Sequence, residues 1–127
     1  MKRLLIYTSL ILAIGMGLTG CYKDIIKPDL ADDPEGPPKS VSFKNDLAPL
    51  FNAGCTASGC HVTGGPKPYL TTDVAFKEAV NGGFVDTLLP KESTLYKEIY
   101  GEMGEYIPGK ADKQKVYDWI RKGALNN

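Results

Sequence analysis

Cys55-Thr56-Ala57-Ser58-Gly59-Cys60-His61 decides the reading of this chain, because two thiols stand immediately before the only histidine in the sequence. Each cysteine sulfur can add across one vinyl group of a haem while the adjacent imidazole takes an axial position on the iron. The usual spacing for such attachment has two residues between the cysteines, and here there are four, giving a stretched C-x4-C-H order. A disulfide between Cys55 and Cys60 is the rival reading. It would close only a short loop, with an entropic gain at the low end of the usual ~2–4 kcal/mol, and it leaves His61 without a role. A zinc site would need a fourth ligand, and with Cys21 committed to lipidation no second histidine or further cysteine supplies it.

The third cysteine has a context of its own. Lys2 and Arg3 precede an apolar run from Leu4 to Leu18, followed by Leu18-Thr19-Gly20-Cys21. This order is similar to a lipoprotein signal peptide with its lipobox, with a small residue before the cleavage point and a thiol after it to carry a diacylglycerol group. The run of about 15 apolar residues is shorter than the roughly 20 that span a bilayer. A retained signal-anchor helix is the alternative. Residues 1–20 are thus expected to form the leader and Cys21 to be the lipidated N-terminus, which leaves Cys55 and Cys60 as a matched pair. Export also places the chain where disulfides persist and where haem is attached to exported apoproteins. Tyr22, and not the aspartate that favours inner-membrane retention, follows Cys21. Outer-membrane attachment is therefore expected, facing either the periplasm or the outside.

Basic and acidic residues both number 15. Removal of the leader takes Lys2 and Arg3 away and leaves a net charge of −2, without the basic patch that nucleic-acid binding requires. The segment 21–40 carries Pro28, Pro34, Pro37 and Pro38 with Asp32, Asp33 and Glu35. It reads as an extended spacer or, alternatively, as an arm packed on the domain. Residues 41–127 then form one small domain.

Within that domain the apolar spacing is helical. Leu47, Leu50 and Phe51 share a face just before Cys55, with Pro49 tolerable near the start of that helix. Asp73 is expected to cap a helix carrying Val74, Phe76, Ala79 and Val80, ended by Gly82 and Gly83. Ser93 is expected to cap a third helix that turns Leu95, Tyr96 and Ile99 inward. The last helix is expected from about Asp112 to Lys122, with Val116, Trp119 and Ile120 as its stripe and Gly123 at its end. No stretch alternates as a strand does, so the expected fold is all-α, with long loops.

Beyond the attachment motif, the order Ser42-Phe43, Asp46-Leu47, Pro49-Leu50-Phe51, Pro90, Ser93-Thr94-Leu95-Tyr96, Asp118-Trp119-Ile120 and Gly123-Ala124 resembles small monohaem cytochrome c domains of bacterial envelope proteins. The resemblance implies one covalently bound haem c and electron transfer between donor and acceptor redox proteins of the envelope, with no enzymatic role. It also implies that the proximal ligand His61 donates Nδ1–H to a downstream prolyl carbonyl, of Pro66 or Pro68. Met103 is the only methionine left after leader removal, and it falls in the loop where the family carries its sixth ligand. Related domains place methionine directly before proline, where this chain has Ile107-Pro108. With Ile107 in the ligand's place the iron would be five-coordinate or bound by a weaker ligand. A haem enzyme or gas sensor would need an open distal face with an acid, base or hydrogen-bond donor; no histidine remains for it, and Glu105 and Tyr106 are the loop residues that could sit there. A non-haem interaction module with a Cys55–Cys60 disulfide is the remaining class.

Overall fold

The structure, a computed structural model, describes residues 35–127. The expected leader over 1–20, the lipidation candidate Cys21 and the spacer as far as residue 34 lie outside the described residues. Those described are helical with no strand among them, as an all-α fold requires. A π-helical turn at Phe43–Leu47 runs into α1, Ala48–Cys55; α2 spans Ala75–Asn81, α3 spans Thr94–Tyr100 and α4 spans Lys110–Arg121. Short 3₁₀ turns at Pro90–Glu92 and Glu102–Glu105 flank α3.

Pro49 sits in the first turn of α1, where its missing N–H costs nothing. The entry to this helical run is fixed by a reciprocal cap. The Ser42 hydroxyl accepts from Asn45 N–H at 3.1 Å, while the Asp46 carboxylate accepts from Ser42 N–H at 2.8 Å. Asp73 does not cap α2. Val74 holds the N-cap position without a side-chain bond, and the Thr71 carbonyl accepts from Val74 and Ala75 N–H instead, so a backbone turn starts the helix. Ser93 does occupy the N-cap of α3, yet its buried hydroxyl is drawn away from the helix. It accepts from Asp86 N–H at 2.8 Å and donates to the Asp86 carbonyl at 3.1 Å.

The core is aromatic at its centre. The Phe43 ring lies 5.2 Å from Trp119, 5.3 Å from Phe76 and 6.2 Å from Phe51, centroid to centroid, and Leu47, Val116 and Ile120 close around them. α4 begins two residues before the expected start and buries Val116, Tyr117, Asp118, Trp119 and Ile120 in succession. A single-stripe amphipathic helix cannot do that, so a second face must be covered. Residues 35–39 cover it. Lys39 N–H donates to Asp118 at 3.1 Å, Arg121 donates to the Gly36 carbonyl at 2.7 Å, and the Tyr117 hydroxyl donates to Glu35 at 3.3 Å. Gln114 and Arg121 also donate to the Asp118 carboxylate, which meets the requirement that a buried charge be paired. At the other end of the chain, Asn127 clasps the π-helical turn. Its main-chain oxygen accepts from Lys44 N–H and the Ser42 hydroxyl, its side-chain oxygen accepts from Phe43 N–H, and its amide donates to the Val41 carbonyl.

Candidate functional site

α1 ends at Cys55, and the chain then has to return so that Cys60 and His61 stand beside it. His61 N–H donates to the Cys55 carbonyl at 3.0 Å, closing the motif into a ring, and Cys60 N–H donates to the Ala57 carbonyl at 2.9 Å. The second bond makes Ala57–Cys60 a β-turn with Gly59 at φ +82°, a conformation that favours glycine. The surplus residues of the C-x4-C spacing are thus carried in an exposed turn, and a methyl group built on Gly59 meets nothing within 4 Å.

The segment after the motif folds back over it. Leu70 N–H donates to the His61 carbonyl at 2.7 Å. His61 Nδ1 lies 2.9 Å from the Pro68 carbonyl and 3.2 Å from that of Pro66. A carbonyl oxygen can only accept, so Nδ1 is the donor, which in the neutral ring leaves the lone pair on Nε2. Both prolines considered as acceptors are engaged, Pro68 at the shorter distance. Two glycines make the close packing possible. A Cβ on Gly65 would stand 2.0 Å from the Cys60 carbonyl oxygen, and one on Gly54 would stand 2.5 Å from the Tyr106 carbonyl oxygen.

Cys55, Cys60, His61 and Met103 all line one cleft of about 520 Å³, inside the roughly 300–1,000 Å³ range of small-molecule and cofactor sites. Phe51, Leu70, Phe84, Leu95 and Ile99 supply its apolar walls. Met103 reaches it from the 3₁₀ turn after α3, whereas Ile107 is 1% exposed and belongs to the core. Both cysteines are free thiols. Burial, reinforced by the neighbouring Cys60, pushes the Cys55 thiol above its ordinary value, so it stays protonated at neutral pH.

The polar part of the cleft differs from expectation. Tyr106 lines it, but Glu105 does not; the Glu105 carboxylate bonds the Tyr106 phenol and holds its pKa up. The carboxylates at the cleft are Glu98 and Glu102. Glu98 carried a readable signal, since Leu95, Glu98 and Ile99 fall at i, i+3 and i+4 on one face of α3. Glu102, Phe84 and Gly65 lie in loops and turns whose paths no periodicity predicts, and Gly54, in the last turn of α1, is met by the Tyr106 segment that crosses it.

Chemically the cleft offers two alkylatable thiols, an imidazole nitrogen with its lone pair, and a thioether sulfur, within apolar walls. Among the described residues no group of three or more histidine, cysteine, aspartate or glutamate side chains is arranged to hold a bare metal ion. No family model, no curated protein and no solved structure matches the chain.

Proposed function

We propose that the chain is a monohaem c-type electron carrier held at the bacterial outer membrane by a lipidated Cys21. The observation that carries this reading is the convergence of Cys55, Cys60, His61 and Met103 on one apolar cleft, with His61 Nδ1 already committed to prolyl carbonyls. Bound haem would supply a one-electron ferrous–ferric couple. Cys55 and Cys60 would hold it, each Sγ–H adding across one vinyl group so that the sulfur gains a carbon bond and the proton goes to the other vinyl carbon. His61 Nε2 would be the proximal ligand, its orientation and basicity set by the bond from Nδ1 to Pro68. The Met103 sulfur would be the distal ligand, which raises a reduction potential relative to a second histidine. Phe51, Leu70, Leu95 and Ile99 would keep water from the iron, which raises it further. The electron would pass one at a time between a donor and an acceptor protein of the envelope.

The test is a pyridine haemochrome spectrum of the chain produced with a cytochrome c maturation system, alongside Cys55→Ser and Cys60→Ser. The expected result is a c-type spectrum whose haem survives acid-acetone extraction and is lost or altered in each variant. A chain that retains no haem and whose mass is lower by two hydrogens would be a disulfide-bonded interaction module.

A further inference from the structure

The loop between α2 and α3 ends in a tip that the electron-transfer reading does not use. Leu88 is 89% exposed and Leu89 is 60% exposed, adjacent in sequence and both directed outward. The tip is built. Leu88 and Leu89 N–H both donate to the Asp86 carboxylate, at 2.8 and 2.9 Å, and Asp86 is held at its own N–H and carbonyl by buried Ser93. The Leu89 carbonyl accepts from Glu92 N–H as the 3₁₀ turn begins at Pro90. Three backbone polar groups of the tip are therefore satisfied within the loop, as an apolar surrounding demands. Two leucines fixed in water by such a network serve no packing purpose in the domain.

Where the chain enters the domain says what covers them. The first described residue, Glu35, is ion-paired with Lys91, two residues beyond Leu89. The chain therefore enters the described domain beside the tip, fourteen residues after Cys21. We infer that Leu88 and Leu89 insert into the headgroup–acyl boundary of the same membrane that holds the N-terminal segment, giving the domain a second membrane contact and one orientation. The inference rests on the reading of Cys21 as the lipidated, membrane-held N-terminus.

The test uses the full chain extracted from membranes and reconstituted into liposomes of phosphatidylethanolamine and phosphatidylglycerol. A photo-reactive p-benzoylphenylalanine is placed at position 88 or, as control, at position 44 on the exposed surface of the π-helical turn. The expected result is that both chains sediment with the liposomes and that irradiation adds a phospholipid mass at position 88 several-fold more often than at 44. Sedimentation with equal or no lipid adducts at 88, or adducts to another protein chain in their place, overturns the inference and leaves the anchor reading intact. A chain that stays in the supernatant fails the anchor reading, and the inference falls with it.

Discussion

His61 and Pro68, seven positions apart, are joined by a 2.9 Å bond from the imidazole Nδ1 to the prolyl carbonyl. That bond depends on how tightly the 64–68 segment lies over the attachment motif, and Gly65 sets the approach.

Replacing Gly65 by alanine drives a methyl group to 2.0 Å from the Cys60 carbonyl oxygen, so the loop must lift and carry Pro66 and Pro68 away from the ring. The expected loss is about 2 kcal/mol or more in urea unfolding, with a lower yield of attached haem. Gly59→Ala, by contrast, meets no atom and pays only for its φ of +82°, about 1 kcal/mol. Gly59→Asn should recover part of that. An order in which Gly59→Ala proves the more damaging would refute the packing account.

Met103 is tested by its removal. With haem in place, Met103→Ala is expected to fold and keep the group covalently attached. It should bind carbon monoxide readily when reduced, and its potential should fall by a sizeable part of the ~0.8 V range that axial ligation spans. Unchanged carbon monoxide binding together with an unchanged potential would remove Met103 from the ligand set.

The Asn127 side chain ties the segment after α4 to the entry of the π-helical turn through Phe43 N–H and the Val41 carbonyl. Asn127→Ala leaves the part-buried Phe43 N–H without its acceptor, at a cost of about 1–2 kcal/mol. Asn127→Asp keeps that acceptor but sets a carboxylate oxygen against the Val41 carbonyl in place of the amide donor, so it should be destabilised as well. Thermal unfolding of the two variants side by side gives the comparison.

The arm on α4 should respond to acid. The Lys91 ammonium, with help from the Tyr117 hydroxyl and Arg121, holds the exposed Glu35 carboxyl below its ordinary 4.5. Protonation therefore favours the detached arm. The contact is complete above about pH 4.5 and is lost as the pH falls below that value through the lowered pKa. Tyr117 ring resonances followed by NMR from pH 6 downward should report this. Lys91→Ala should move the midpoint upward; an unmoved midpoint would mean that Lys91 is not the cause.

Helix existence was legible wherever one apolar face met one core: Leu47 and Phe51, Leu95 and Ile99, and Val116, Trp119 and Ile120 are buried, with Leu50 and Tyr96 of the same stripes half-buried. Caps were less legible, because Asp73 and Ser93 both obey the sequence rule and neither side chain caps its helix. Asp73 is displaced by a backbone turn at Thr71, and Ser93 is claimed by Asp86. Cys55, Cys60, His61 and Met103, singled out in the sequence, all line one cleft. Glu98 and Glu102 at the cleft, and the close passage of Gly54 beneath Tyr106, follow from how loops cross, which residue spacing does not encode. Residues 35–39, inside the stretch read as spacer, pack on α4 through Gly36 and Lys39 main-chain groups, which have no sequence signature at all.

Phe43 stands between Phe51, in the wall of the cleft, and Trp119, the sole tryptophan. The one strongly fluorescent side chain is thus a single ring removed from a residue that would touch a porphyrin. Resonance energy transfer should then darken Trp119 in every loaded chain and leave it bright in every unloaded one. The molecule would carry its own optical gauge of cofactor occupancy, readable without unfolding the protein or opening the site.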